Sequence, residues 1–182
     1  PRLAAVNPRL SRNGFGGSHD IKFGMGWRRH DATSQTLWPG NMIQARDNSA
    51  TDKVARVYRE GLGTNRTEYL SFYAGDTFSR GPLTIDAGLR FDRQTGSALP
   101  SNTTSNPAFP DLVPGISFAG YDAPFSWNTL HPRVGATWAL DESGKTLVRG
   151  NFSRFAGQLD AGITGFSNPS SNAGYVDYRW ND

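Results

Sequence analysis

The sequence contains no cysteine. Disulfide scaffolds, thiolate zinc sites and thiol catalysis are therefore excluded. No apolar stretch approaches the roughly 18 residues of a membrane-spanning helix, and no signal-peptide pattern is present. Charge of one sign is not concentrated anywhere. The formal net charge is +3, without a run of five or six like charges and without a basic helix, so nucleic-acid binding has no support. Aliphatic content is also low. Only 36% of residues are hydrophobic and mean hydropathy is −0.55, which argues against an ordinary globular core in a chain long enough to hold one.

What is abundant is 21 Gly, 11 Pro and a 12% share of aromatics. That mixture suits the wall of a β-barrel, where about half of each strand is polar and aromatics form belts. It also suits a loop-rich soluble β-domain.

The most informative stretch is residues 127–155, which reads as a hairpin. A strand over residues 128–140 places Pro132, Val134, Ala136, Trp138 and Leu140 on one face and His131, Arg133, Gly135, Thr137 and Ala139 on the other. A polar turn over residues 141–145 leads to a strand over 146–153, with Val148, Gly150 and Phe152 opposed to Arg149, Asn151 and Ser153. Alternation of period two marks a strand with one apolar and one polar face.

Similar strands precede it. Residues 4–12 form a weak one, with Ala4, Val6, Pro8 and Leu10 on one face, and Pro8 argues for an edge. After the turn NGFGGS, Ile21, Phe23, Met25 and Trp27 alternate with Lys22, Gly24, Gly26 and Arg28. Residues 34–67 lose the pattern, and only 54–59 read as extended. A strand over 68–79 puts Asp76 on the face of Leu70, Phe72, Ala74 and Phe78, which implies a bulge or a place at the membrane edge. Then LTIDAGLRFD alternates Leu83, Ile85, Ala87, Leu89 and Phe91 with Thr84, Asp86, Gly88, Arg90 and Asp92. Burying those charges together would be costly, so their face is expected to be wet. Residues 94–126 and the tail from 157 read as further loop, with Tyr175, Tyr178 and Trp180 opening a next strand.

The connections alternate in length. NGFGGS, RGP and DESGK are short, whereas those after the second, fourth and sixth strands are long. Outer-membrane barrels have short periplasmic turns and long extracellular loops. The expected fold class is therefore all-β: an antiparallel transmembrane β-barrel segment of about six strands. Six strands cannot close a barrel, and open edges are not viable in lipid. The chain, which starts at Pro1 in mid-pattern, is thus expected to be a fragment, an arc of a larger wall.

The runs GGSHDIKFGMGWRR, EYLSFYAGDTFSRGPLTIDAGLRFDRQ and FSWNTLHPRVGATWALDESGKTLVRGNFSRF resemble the barrel of a TonB-dependent receptor, most closely the Oar-like branch. The resemblance covers nearly all of residues 14–156 and rests on four motifs in order with matching loops. It implies a transport protein rather than an enzyme, in the bacterial outer membrane, with a barrel of roughly 22 strands around a plug. The whole of residues 1–182 would then be partial barrel, with the plug, TonB box and closing C-terminal strand absent. The implied partners are outer-membrane lipid and lipopolysaccharide, the rest of the barrel and its plug, the TonB complex through the missing regions, and a transported ligand of the siderophore, oligosaccharide or peptide class. No nucleic acid, cofactor or metal is implied.

Few residues invite a site assignment. His19, His30 and His131 are scattered and suit structural roles, exposed or lumen-facing. Asp86, Arg90 and Asp92 suit an ion-pair ladder with Arg93, Arg133 and Arg149 better than acid–base work. Arg154 is placed to meet lipopolysaccharide phosphates or a loop carboxylate. The ligand-binding candidates are loop aromatics, Trp38, Tyr58, Phe118, Tyr121 and Trp180, with Phe109 and Tyr175 beside them; the same rings suit packing of the loops on each other. The alternative reading is a soluble or secreted all-β carbohydrate-binding module, whose strands would need a second sheet to cover their apolar faces.

Overall fold

The computed structural model describes residues 1–49 and 52–180, with the backbone alone for Ala161 and Trp180. The strands are β1 (Arg2–Val6), β2 (Arg9–Gly14), β3 (Gly17–Thr36), β4 (Ile43–Ser49), β5 (Asp52–Tyr58), β6 (Gly61–Arg80), β7 (Leu83–Ala98), β8 (Ser101–Asn102), β9 (Ser117–Phe118), β10 (Tyr121–Asp122), β11 (Trp127–Ala139), β12 (Leu147–Ser153) and β13 (Tyr175–Trp180). Two one-turn segments, α1 (Pro39–Met42) and α2 (Ala161–Gly165), complete the list. No helix among the described residues is long and apolar enough to cross a membrane, which has no bearing on crossing by strands.

The chain divides into two compact units. The first comprises Pro1–His30, Glu68–Thr95 and Phe125–Leu159. Its strands belong to a sheet in the order β1-β3-β6-β7-β11-β12, with β2 also on β3. The sheet is open, ending at β1 and β2 on one side and at β12 on the other. The proline break is mild. Val6 faces Met25 and Arg9 faces Lys22, so the register is continuous across Asn7 and Pro8. Pro8 lacks an N–H, but its carbonyl accepts from Phe23 N at 3.3 Å.

Register fixes the faces. Leu83 opposes Trp138, Ile85 opposes Ala136, Ala87 opposes Val134, Leu89 opposes Pro132 and Phe91 opposes Leu130. On the far side of β11, Trp138 meets Val148 and Val134 meets Phe152. Directly opposite residues share a face, so one side of this sheet is continuously apolar. That side is bare: Phe23, Met25, Phe72, Leu89, Val134, Trp138, Val148 and Phe152 are all exposed. The buried residues of this unit are, apart from Leu159, polar: Ser71, Asp92, Gln94 and His131. A soluble sheet shows the reverse arrangement.

The polar side explains two glycines. A Cβ on Gly24 would strike the carbonyl of Val6 and the ring of Tyr73, which lies across it. Tyr73 then donates to Asn7 Oδ1 at 2.9 Å. Gly26 leaves room for Ser71, whose hydroxyl donates to the Gly26 carbonyl at 3.3 Å.

The short turns sit where expected. Phe15 and Gly16, with φ of 48° and 85°, form a two-residue turn with both φ positive. The turn after β11 is organised by Asp141, whose carboxylate accepts from Ser143 Oγ at 2.6 Å, Lys145 N at 3.0 Å and Thr146 N at 2.6 Å. Those donors, the Ser143 hydroxyl foremost, hold its pKa far below the usual carboxylate range.

The second unit, Asp31–Thr67, Gly96–Pro124 and Asp160–Asp182, corrects the reading of residues 34–67 and 94–126 as loop. β3 continues to Thr36, β4 and β5 form a hairpin, and β6 begins at Gly61 rather than near 68. Tyr175 does open a strand, but not one of the first unit's sheet. β13 pairs with β5 in a three-stranded sheet ordered β13-β5-β4. Here the core is conventional, with Met42, Val54, Val57, Tyr58, Ala98 and Val113 buried.

Gly24→Val is expected to lower folded stability by about 1–3 kcal/mol, the usual cost of overpacking. Gly150→Val, at a site with open space around the added carbon, is expected to change it little. Thermal unfolding in detergent measures both.

Candidate functional site

Two arrangements gather polar and aromatic side chains, one in each unit. In the first unit the polar side of the sheet carries a cross-strand network. Arg9 grips Asp20 through its Nε and Nη2, at 2.7 and 2.5 Å. Thr77 donates to Asp86 at 2.6 Å. Arg90 Nε bonds Asp92 at 2.7 Å and its Nη2 donates to Tyr69 Oη at 3.2 Å. His131 Nε2 lies 3.1 Å from the other Asp92 oxygen, and His131 Nδ1 lies 3.3 Å from the Arg154 carbonyl.

This corrects the reading of a wholly wet charged face. Asp92 is only 4% exposed, yet it is satisfied on both oxygens by Arg90 and His131, which a buried carboxylate requires. The ladder also has different rungs. Histidine 131 takes the place assigned to arginine, and Arg133 instead stands 5.4 Å from the centre of the Phe155 ring. His30 is exposed.

His19 departs from expectation. It shares the apolar face, because Leu10 opposes Ile21 and Arg12 opposes His19 in one register. Its ring is 5.0 Å from that of Phe78, and its Nδ1 meets Asp76 Oδ2 at 2.6 Å. Asp76 therefore needs no bulge. It remains on the apolar side of the unbroken strand β6 and is paired there. The histidine partner lies 57 positions away, and alternation within one strand carries no sign of it.

In the second unit the loop aromatics converge. Trp38 stacks on Tyr58 with centroids 4.8 Å apart and planes 15° from parallel. Tyr175 meets the Tyr58 ring edge-on at 5.7 Å, and Arg56 covers Tyr175 at 3.8 Å while binding Asp177 through two nitrogens at 2.6 and 2.7 Å. Hydrogen bonding by Asp177 raises the Arg56 pKa and depresses that of Asp177. Tyr58 is buried, so it supports Trp38 rather than facing solvent; Trp38 itself is 38% exposed. Phe118 lies in β9 and is partly buried, and Tyr121 lies exposed in β10. Trp180 ends β13, and its side chain is outside the described residues. Phe109 is exposed.

The stack stands on an unusual backbone. Gly40, Asn41 and Met42 have φ of 69°, 57° and 61°, three successive left-handed residues, a conformation that side chains other than glycine resist. Asn106, fully buried, donates to the carbonyls of Asn41, Met42 and Tyr58 at 3.2, 3.3 and 2.8 Å and accepts from Ala108 N and Phe109 N. Nearby in sequence, buried Glu60 accepts from Gln35 at 2.5 Å and from Thr104 N and Oγ1 at 2.9 Å. These three donors, Gln35 foremost, lower its pKa. Sequence reasoning missed Asn106 and Glu60, since both lie in stretches without periodicity.

Among the described residues no group of three His, Asp or Glu is placed to hold a metal. A family model described as "TonB dependent receptor-like, beta-barrel" matches residues 4–181. No curated protein and no solved structure matches the chain.

Because the native Glu60 pKa is lowered, its contribution is complete above the ordinary carboxylate value and is lost as pH falls through the native one. Acidification is expected to open residues 96–124 to protease in the intact receptor. Glu60→Gln is expected to flatten that acid dependence, and an unchanged profile would refute this role.

Proposed function

The chain belongs to the TonB-dependent receptor-like β-barrel family, and from that premise we propose that it forms part of the wall and outward loops of an outer-membrane receptor importing a large or scarce substrate. The observation that carries this reading is the inversion of the first unit, with polar residues buried and a continuous apolar face bare. Lipid is the medium that such a face fits. The open edges at β1 and β12 favour a longer wall, because unpaired strand edges are not tolerated in hydrocarbon. In this reading the remaining strands, the plug and the contact with the TonB complex belong to other parts of the receptor. The Oar-like branch rests on the order of the four motifs alone.

The short turns are assigned to the periplasm and the long connections to the extracellular side. Ligand contact is placed on the loop aromatics. Trp38, backed by buried Tyr58, offers a flat ring of fixed orientation, and exposed Tyr121 offers a second. Phe118 and Trp180 are kept as further candidates on the sequence alone. Such rings suit a sugar, a peptide or an aromatic chelator equally. The soluble carbohydrate-binding module is not supported, since no second sheet covers the apolar face of the first unit among the described residues.

The intact receptor is expected to sediment with outer membranes and to shift on a gel when heated. Leu89→Arg, on the apolar face, is expected to cost about 2–4 kcal/mol if it lies near the bilayer midplane, whereas Asn151→Arg on the other face is expected to be tolerated. Equal tolerance of both would contradict the membrane assignment.

A further inference from the structure

The turn between β2 and β3 is built against its own backbone preference. A two-residue turn with both φ positive favours Asn or Gly at its first position, yet Phe15 stands there with φ 48°. A bulky residue in that region is an outlier that points to a use. The ring fills no core: Phe15 is 97% exposed, with only the edge of His19 at 6.3 Å.

Two arginines flank it. Arg12 opposes His19 and so follows Leu10 on the apolar face, as the first charge on β2 on that side. On β6 the same face runs Phe72, Ala74, Asp76, Phe78 and ends at Arg80. A carbon added to Gly16 would lie 3.5 Å from Arg80 Nη1, which places that guanidinium beside the turn. Of the carboxylates nearby, Asp76 is engaged by His19 at 2.6 Å and Asp20 by Arg9 at 2.7 Å. Among the described residues neither Arg12 nor Arg80 forms an ion pair. The apolar face thus ends in two free cations with a phenyl ring beyond them.

We propose that Arg12, Phe15 and Arg80 form a seat for phospholipid headgroups in the periplasmic leaflet. The guanidiniums take the phosphates, and the ring sits at the boundary between headgroup and acyl chain. An apolar strip crowned by cations complements an anionic headgroup above its chains. The seat rests on the membrane-spanning reading.

The test uses the intact receptor in vesicles of phosphatidylethanolamine and phosphatidylglycerol. A nitroxide on Phe15→Cys is expected to be reached by oxygen and shielded from a water-soluble nickel chelate, as one on Leu89→Cys is, and unlike one on Ser143→Cys. Water-like access at position 15 with lipid-like access at 89 overturns the seat alone. Water-like access at both overturns the membrane reading too. For the arginines, R12Q/R80Q is expected to retain at least about five-fold less phosphatidylglycerol in native mass spectrometry, from the attraction of one arginine to an anionic surface. Arg9→Gln, on the other face and bonded to Asp20, is expected to retain as much as the parent. Phe15→Asn suits the turn and keeps the fold, so a lower phospholipid retention by it supports the seat. Parental retention by R12Q/R80Q overturns it.

Discussion

Inside a hydrocarbon layer a backbone N–H or C=O has no water to turn to, so each must be paired within the protein. A β-sheet meets that demand through its ladders and leaves only the side chains to choose their medium. A strand has two faces and a period of two, so one face can meet lipid while the other meets water. The first unit follows from this. Its ladders place Leu83, Ile85, Ala87 and Leu89 against Trp138, Ala136, Val134 and Pro132, and the opposite face carries Asp86, Arg90 and Asp92 beside Gly135, His131 and Thr129. At Gly24 this polar layer packs closely enough to exclude a side chain.

The second unit is held differently. It buries Val54, Val57, Val113 and Met42 as a soluble domain does, and its buried Asn106 and Glu60 are met by hydrogen-bond partners. Asn106 has no exposed surface and spends both ends of its amide on backbone groups. It steadies a left-handed run next to Trp38, so the orientation of a half-exposed aromatic depends on a buried amide more than sixty positions away. Loop rings presented this way are preorganised, which lessens the entropy a ligand must overcome.

The wall was legible in the sequence because its physics is periodic. The hairpin over residues 127–155, the strand from Leu83 and the faces of Ile21, Phe23 and Met25 all lie where alternation put them. The extensions were not legible. β4 and the first part of β6 have mixed polarity on both faces, so no period announces them, and of this region only β5 reads as extended. Pairing across long separations was equally hidden: His19 with Asp76, His131 with Asp92, and Glu60 with Thr104 join residues whose neighbours in sequence are uninformative. The aromatic candidates could be named but not sorted. Only their burial separates Tyr58, which supports, from Trp38, which is displayed.

In the proposed arrangement one face of the first unit's sheet lies against lipid and the other against water. The absence of cysteine from residues 1–182 permits a single-cysteine scan along β7. Cysteines placed in turn from 83 to 91 in the intact receptor, in native membranes, are treated with a water-soluble maleimide. Labelling at 84, 86, 88 and 90 with protection at 83, 85, 87, 89 and 91 is the predicted result. Uniform labelling, or labelling of the odd positions instead, would rule out that arrangement.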